Sequence, residues 1–145
     1  MSVEANKQLI RRFYDEVWNQ GNTDFVFQVF AENYVRHDLR PGNPRAGAAG
    51  QQQVADDFRA AFPDLKHETE LLLGENDFVV ARWTMQGTNS APWGNQPATG
   101  KFVRMSGVNI FRFENDKVVE IWNHRDDLGM REQLGAPIYA GSNRA

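Results

Sequence analysis

Residues 97–135, PATGKFVRMSGVNIFRFENDKVVEIWNHRDDLGMREQLG, decide how this chain folds. They read as two long strands, Lys101 to Phe113 and Val118 to Arg125, joined by a tight turn at Glu114 to Lys117 and closed by a short helix from Asp127 to Leu134. Side chains of one parity share a face of a strand. On the first strand Val103, Met105, Gly107, Asn109, Phe111 and Phe113 lie together, which sets Asn109 in an apolar row. On the second, Val119, Ile121 and Asn123 share one face, and Val118, Glu120, Trp122 and His124 the other. Antiparallel pairing through the turn brings Asn109 and Asn123 to one level, within reach of one small molecule, with Asp126 just beyond the strand end. Buried polar groups are usually hydrogen-bonded for structural reasons. That accounts for either asparagine alone as well as a site does; the two together, with Asp126, point to a site.

The rest of the chain fits around this hairpin. Leu9, Ile10, Phe13, Tyr14 and Val17 recur at helical spacing and predict an amphipathic helix over Val3 to Gln20, stopped at Gly21. Asn22 or Thr23 can cap a second helix with Phe25, Val26, Val29 and Phe30 on one face. Asn33 to Asp38 reads as a short strand, and Leu39 to Gly50, rich in Gly, Pro and Ala, as a loop of the length expected of a cavity lid or rim. A third helix over Gln51 to Phe62 ends at Pro63. Strands at Leu65 to Leu73 and Phe78 to Thr88 precede the hairpin. Helices followed by a meandering antiparallel sheet predict an α+β fold, a curved sheet with helices on one face.

Composition narrows function. The chain has 145 residues, enough for one domain over residues 1–145, and 41% hydrophobic residues. A net charge of −3 lacks the basic excess of a nucleic-acid or anionic-membrane binder. No cysteine occurs, which excludes disulfides and thiolate chemistry. No apolar run approaches the ~20 residues of a membrane helix, so a cytoplasmic protein is expected. Gly94 to Lys101 imitates a phosphate-binding loop, but its spacing is one residue too long and Phe102 stands where a hydroxyl must hold magnesium. His124-Arg125-Asp126 copies a kinase triplet without the asparagine such a site requires, since residue 131 is Arg. The three histidines show no paired ligand spacing, so no metal is expected.

The succession VWNQGN, ENYVRHD, ARWTMQGT, PATGK, FRFENDKVVEIWN and QLG, over Asn6 to Gly135, resembles the SnoaL-like polyketide cyclase family of the NTF2-like superfamily. The resemblance implies a cone-shaped α+β barrel around a deep apolar cavity, in a homodimer or higher homo-oligomer. Cyclases of this family that close a ring by aldol addition place an aspartate on the last strand as general acid/base. Its position falls on Asn123, and the matching histidines fall on Asn109 and Ile121. A carboxamide cannot exchange a proton near neutral pH, so the aldol machinery is missing. Asn109, Asn123 and Asp126 resemble instead the hydroxylase-type branch, which implies oxygen insertion into an anthracycline-like aromatic polyketide without flavin, metal or other cofactor. The substrate activates O₂ itself after reduction to a quinol, which a separate quinone reductase would supply.

In that reading Asn109 and Asn123 donate to an oxyanion and Asp126 is the base, its pKa raised by partial burial; Asp126 suits the N-cap of the last helix equally. His37, sharing parity with Val35, is a candidate for the cavity, as is one of Arg82 and Trp83. Met105 and Ile121 belong to the Asn109 and Asn123 faces, and Phe58 and Phe62 to an aromatic wall suited to a flat polycycle. His124 points away from Asn123, and His67 lies near the start of an exposed strand. Two other functions compete: an aldol cyclase using Asp126 or His37, and a non-catalytic small-molecule binding protein.

Overall fold

The computed structural model describes residues 2–37 and 47–135. Helix α1 (Val3–Phe13) opens at Ser2, whose hydroxyl accepts the Ala5 N–H and satisfies one of the amides left over at a helix start. It continues into a π-helical turn, Tyr14–Asn19, in place of the α-helix expected through Gln20. The turn ends where Asn19 accepts the His67 backbone N–H at 2.7 Å and donates to the His67 carbonyl at 3.0 Å. The wider winding carries Asn19 to that strand while Tyr14, Val17 and Trp18 all stay buried.

A 3-10 turn (Thr23–Phe25) and the short α2 (Val26–Val29) replace the longer second helix, because Phe30 already belongs to β1 (Phe30–His37). Helix α3 (Gly47–Ala61) starts at Gly47 rather than Gln51, so the remainder of the predicted loop, residues 39–46, lies outside the described residues. Strands β2 (Lys66–Glu75), β3 (Phe78–Thr88), β4 (Phe102–Glu114) and β5 (Lys117–Arg125) follow, then α4 (Asp127–Leu134). Among the described residues no helix is long and apolar enough to cross a membrane.

The sheet order is β1-β5-β4-β3-β2, antiparallel except for β1 beside β5. It is curved and does not close: β1 and β2 are its edges, with α3 packed on β1 and the π turn with α1 on β2. Ile10, Phe13, Val26, Val29, Phe30, Val79 and Phe111, none more than 2% exposed, fill the space between helices and sheet.

The β4–β5 turn is Asn115-Asp116, with φ of 52° and 66°, the pair of positive angles that follows the twist of a two-residue hairpin. Asn109 stands opposite Asn123 and Phe111 opposite Ile121, before the register slips between Arg112 and Phe113. That bulge corrects one expectation. Val118, opposite Phe113, is fully buried, and the inward place expected for Val119 is lost to the extra residue.

Gly107 ties the sheet to the site. It faces Trp83 across β3–β4, and a Cβ there would lie 2.4 Å from the indole Cζ2 and 2.9 Å from the His124 carbonyl. The indole can lie flat on β4 only because that position has no side chain. Gly107→Ala should destabilise the fold by about 1–3 kcal/mol and shift the tryptophan emission, as chemical denaturation followed by fluorescence would show; an unchanged midpoint would mean that the indole does not rest on residue 107.

Candidate active site

Four strand and helix positions, Tyr14, Trp83, Asn109 and Asn123, build a hydrogen-bonded chain at the centre of the core. Asn109, 6% exposed, accepts at Oδ1 from the Trp83 indole N–H at 2.7 Å and from the Tyr14 hydroxyl at 2.7 Å. Its Nδ2 donates to Asn123 Oδ1 at 2.6 Å. The direction of this chain follows from chemistry alone. An indole N–H can only donate, so the Asn109 atom facing it is the oxygen, and the nitrogen is turned to Asn123. Asn123 must answer with its oxygen. Its own amide N–H groups are then left for a guest, since they meet no hydrogen-bond acceptor among the described residues.

Asn109 and Asn123 line a cavity of about 40 Å³ with Tyr14, Trp83, Arg36 and Gln51 as its other polar walls and Phe13, Trp18, Val54, Met85 and Ile121 as apolar ones. Burial holds the Tyr14 phenol well above its usual pKa, so it stays protonated and serves as a donor to Asn109. Among the described residues none of the lining groups is a carboxylate or an imidazole. These described groups can stabilise a negative oxygen and include no base for taking a proton from carbon.

Of the predicted residues, the structure gathers Asn109, Asn123, Trp83 and Ile121 on the cavity wall. Asp126 lies apart: it is exposed, and its carboxylate accepts the Gly129 N–H at 2.9 Å as the N-cap of α4. The partial burial expected of it does not occur, because the chain has already left the sheet. His37 shares parity with Val35 as expected, but both face outward, with Arg36 and Tyr34 taking the inner positions of β1. The His37 ring stacks on Trp122 at 4.8 Å and meets Glu120 at 2.8 Å. Of the Arg82/Trp83 pair Trp83 is interior, and Arg82 is exposed and paired with Glu70. Phe58 and Phe62 stack on each other at 4.7 Å behind the wall, with Phe58 edge-on to Trp18 at 6.0 Å; Met105 is buried without lining the cavity.

Sequence reading missed Tyr14, Arg36, Gln51 and His67. Tyr14 was legible only as one more apolar-face residue of α1. His67, expected on an exposed strand, is 5% exposed and stacks on the Tyr14 ring at 4.2 Å. Its Nε2 has no hydrogen-bond partner among the described residues, and burial lowers its pKa to about 3. Folding thus holds the imidazole neutral where the unfolded chain would take up a proton. The stability this group permits is complete above its ordinary pKa of 6.5 and drains away as pH falls from there towards 3. Relative to His67→Phe, which keeps a ring against Tyr14, the wild type should lose about 1.4 kcal/mol per pH unit below 6.5. Parallel urea-stability curves for the two proteins between pH 7 and 4.5 would contradict this.

The surroundings of this chain among known proteins agree with its architecture. Residues 8–134 match the family model for SnoaL-like polyketide cyclases. The aklanonic acid methyl ester cyclases DauD of Streptomyces sp. (strain C5) and DnrD of Streptomyces peucetius are each 27% identical over 131 residues, covering 89% of this chain and 81% and 90% of theirs. Among solved structures, AclR of Streptomyces galilaeus, provisionally named a hydroxylase, is 27% identical with a TM-score of 0.78, covering 92% of this chain and 98% of its own. A provisionally named polyketide cyclase of Acidithiobacillus ferrooxidans is 30% identical with a TM-score of 0.78, over 93% of this chain and 98% of that one. These are names of enzymes, which favours an enzyme over a non-catalytic binding protein. With a match over all but the ends of its sequence, the chain belongs to the SnoaL-like polyketide cyclase family.

Proposed function

We propose that this protein is a cofactor-independent hydroxylase acting on an aromatic polyketide in its reduced, quinol form. The observation that carries the reading is the directed donor chain ending at Asn123 in a wall with no carboxylate or imidazole among the described residues. Such a wall suits a reaction whose demand is stabilisation of an oxyanion and whose electrons come from the substrate. A quinol bound with one oxygen at the Asn123 amide loses that proton to solvent, and the delocalised anion passes an electron to O₂. The radical pair joins at a ring carbon to give a hydroperoxide, which loses water. Quinol and O₂ thus become hydroxyquinone and H₂O: one oxygen atom enters the ring, the other leaves as water, and the quinol's two electrons and two protons are consumed. A separate quinone reductase would supply the quinol. Asp126 has no part in this scheme.

A cavity of about 40 Å³ holds a water or two, far below the roughly 300–1,000 Å³ of pockets that enclose drug-sized ligands. A polycyclic guest therefore displaces the walls as it enters, with the unbranched Met85 among the residues free to repack.

The named relatives DauD and DnrD favour a second reading, aldol ring closure, in which Asn123 would hold an enolate oxygen. The two readings part at one position. Under the first, Asn123→Ala should lower oxygen-dependent turnover of a reduced anthraquinone by about 10²–10³-fold, and Asn123→Asp should abolish it by repelling the oxyanion, while Asp126→Ala turns over normally. The check is oxygen uptake with mass spectrometry of the product, which should gain one oxygen only when both reductant and O₂ are present. An isomer of unchanged mass formed without O₂, and faster in Asn123→Asp, would replace the hydroxylase by the cyclase.

A further inference from the structure

A second directed run of hydrogen bonds ends at the cavity, on its α3 side. Arg36 on β1 donates to the Tyr34 hydroxyl, and that hydroxyl donates to Gln51 Oε1 at 3.0 Å. A guanidinium has donors and no acceptor, so the Tyr34 oxygen is the accepting partner and its one hydrogen is left for Gln51. Tyr34 is 2% exposed and Gln51 3%. Turning the Gln51 amide over would strand the phenol hydrogen in a buried place, which keeps the amide oxygen toward Tyr34. The Gln51 amide N–H groups are then left over. They meet no hydrogen-bond acceptor among the described residues, and they are not sealed in protein, since Gln51 lines the cavity. Asn123 thus ends one run on the sheet and Gln51 ends the other on α3, at two walls of one cavity. Each is a neutral carboxamide whose oxygen is already occupied, by Asn109 and by Tyr34. An amide N–H binds a ring oxygen, whether carbonyl or hydroxyl, without requiring it to carry a charge.

We infer that Gln51 is a specificity-determining residue that donates to a second oxygen of the guest, on the edge of the ring system turned to α3. It selects aromatic guests that carry an oxygen acceptor at that edge over guests of the same outline that lack one. The inference rests on the reading of Asn123 as the donor to the first ring oxygen. A quinol has two ring oxygens, and two separate amide donors match that number. With one oxygen held at each wall, the rings are set across the cavity in a single plane. Tyr34 is the positioning residue behind Gln51, as Trp83 is behind Asn109.

Equilibrium binding of two probes tests this, read by quenching of tryptophan fluorescence because Trp18 and Trp83 line the cavity. The probes are 2-hydroxyanthraquinone and 2-hydroxyanthracene, the same three rings without the carbonyls. Gln51→Met, an unbranched apolar replacement, should weaken the quinone about tenfold and leave the anthracene within about twofold. Unchanged anthracene binding shows that the variant is folded. Where Gln51→Met weakens both probes alike, Gln51→Glu decides, because its ionised carboxylate keeps an acceptor for Tyr34 and offers no donor to the guest. A loss confined to the quinone in that variant supports the inference, and an equal loss of both probes overturns it. Quinone affinity that is unchanged in Gln51→Met also overturns it, and leaves the hydroxylase reading to stand on oxygen uptake. Failure of the wild type to bind either probe overturns the aromatic-polyketide reading itself, and this inference with it.

Discussion

An indole N–H donates and cannot accept, and the site depends on that asymmetry. With Trp83 fixed against β4, the amide of Asn109 has one orientation open to it, and Asn123 inherits the complementary one. Tyr14, held protonated by burial, adds a second donor to the same oxygen and removes any gain from reversing it. A pair of asparagines that could in isolation face either way therefore acts as a directed relay whose free end is a donor. Reversal would set the indole N–H against an amide N–H at 2.7 Å and strand a buried donor, a cost of about 1–3 kcal/mol before repulsion is counted.

The architecture serves this arrangement at several removes. Gly107 leaves the floor on which the indole lies, and the strand register sets Asn109 directly opposite both Ala81 and Asn123. The π turn ending at Asn19 delivers Tyr14 from the helical side. His67 stacks on Tyr14 and sits 5.6 Å from the Trp83 ring, so it supports both donors without bonding to either. The neutral imidazole is the concession: a buried polar nitrogen is tolerated so that a flat ring can back the relay.

The strand alternation made the Asn109–Asn123 meeting legible, because a period of two leaves little choice once Phe111 and Ile121 are placed inside. The same rule failed at Val118 and Val119, since a bulge adds a residue that no pattern in the sequence announces. At β1 parity was right and the face was wrong: Val35 is as apolar as any core residue, and only the pairing with β5 shows that Tyr34 and Arg36 turn inward. Asp126 was readable as a helix cap and as a base, and the end of β5 at Arg125 decides for the cap. His67 offered no signal, because its burial comes from a helix that reaches over the strand edge from the other end of the chain. The relay from Trp83 and Tyr14 was equally hidden, being a matter of which side chains converge across three elements.

The central claim is that Asn123 presents hydrogen-bond donors to an anionic oxygen inside a wall that holds no carboxylate or imidazole among the described residues. Absorbance titration of 2-hydroxyanthraquinone bound to the wild type and to Asn123→Leu reads this most directly, because the phenol and its anion differ in colour. The account predicts that the bound phenol ionises at lower pH than the free one, and that Asn123→Leu loses most of that shift. A bound phenol that ionises at the same or a higher pH than in water, as burial without donors would produce, would contradict it.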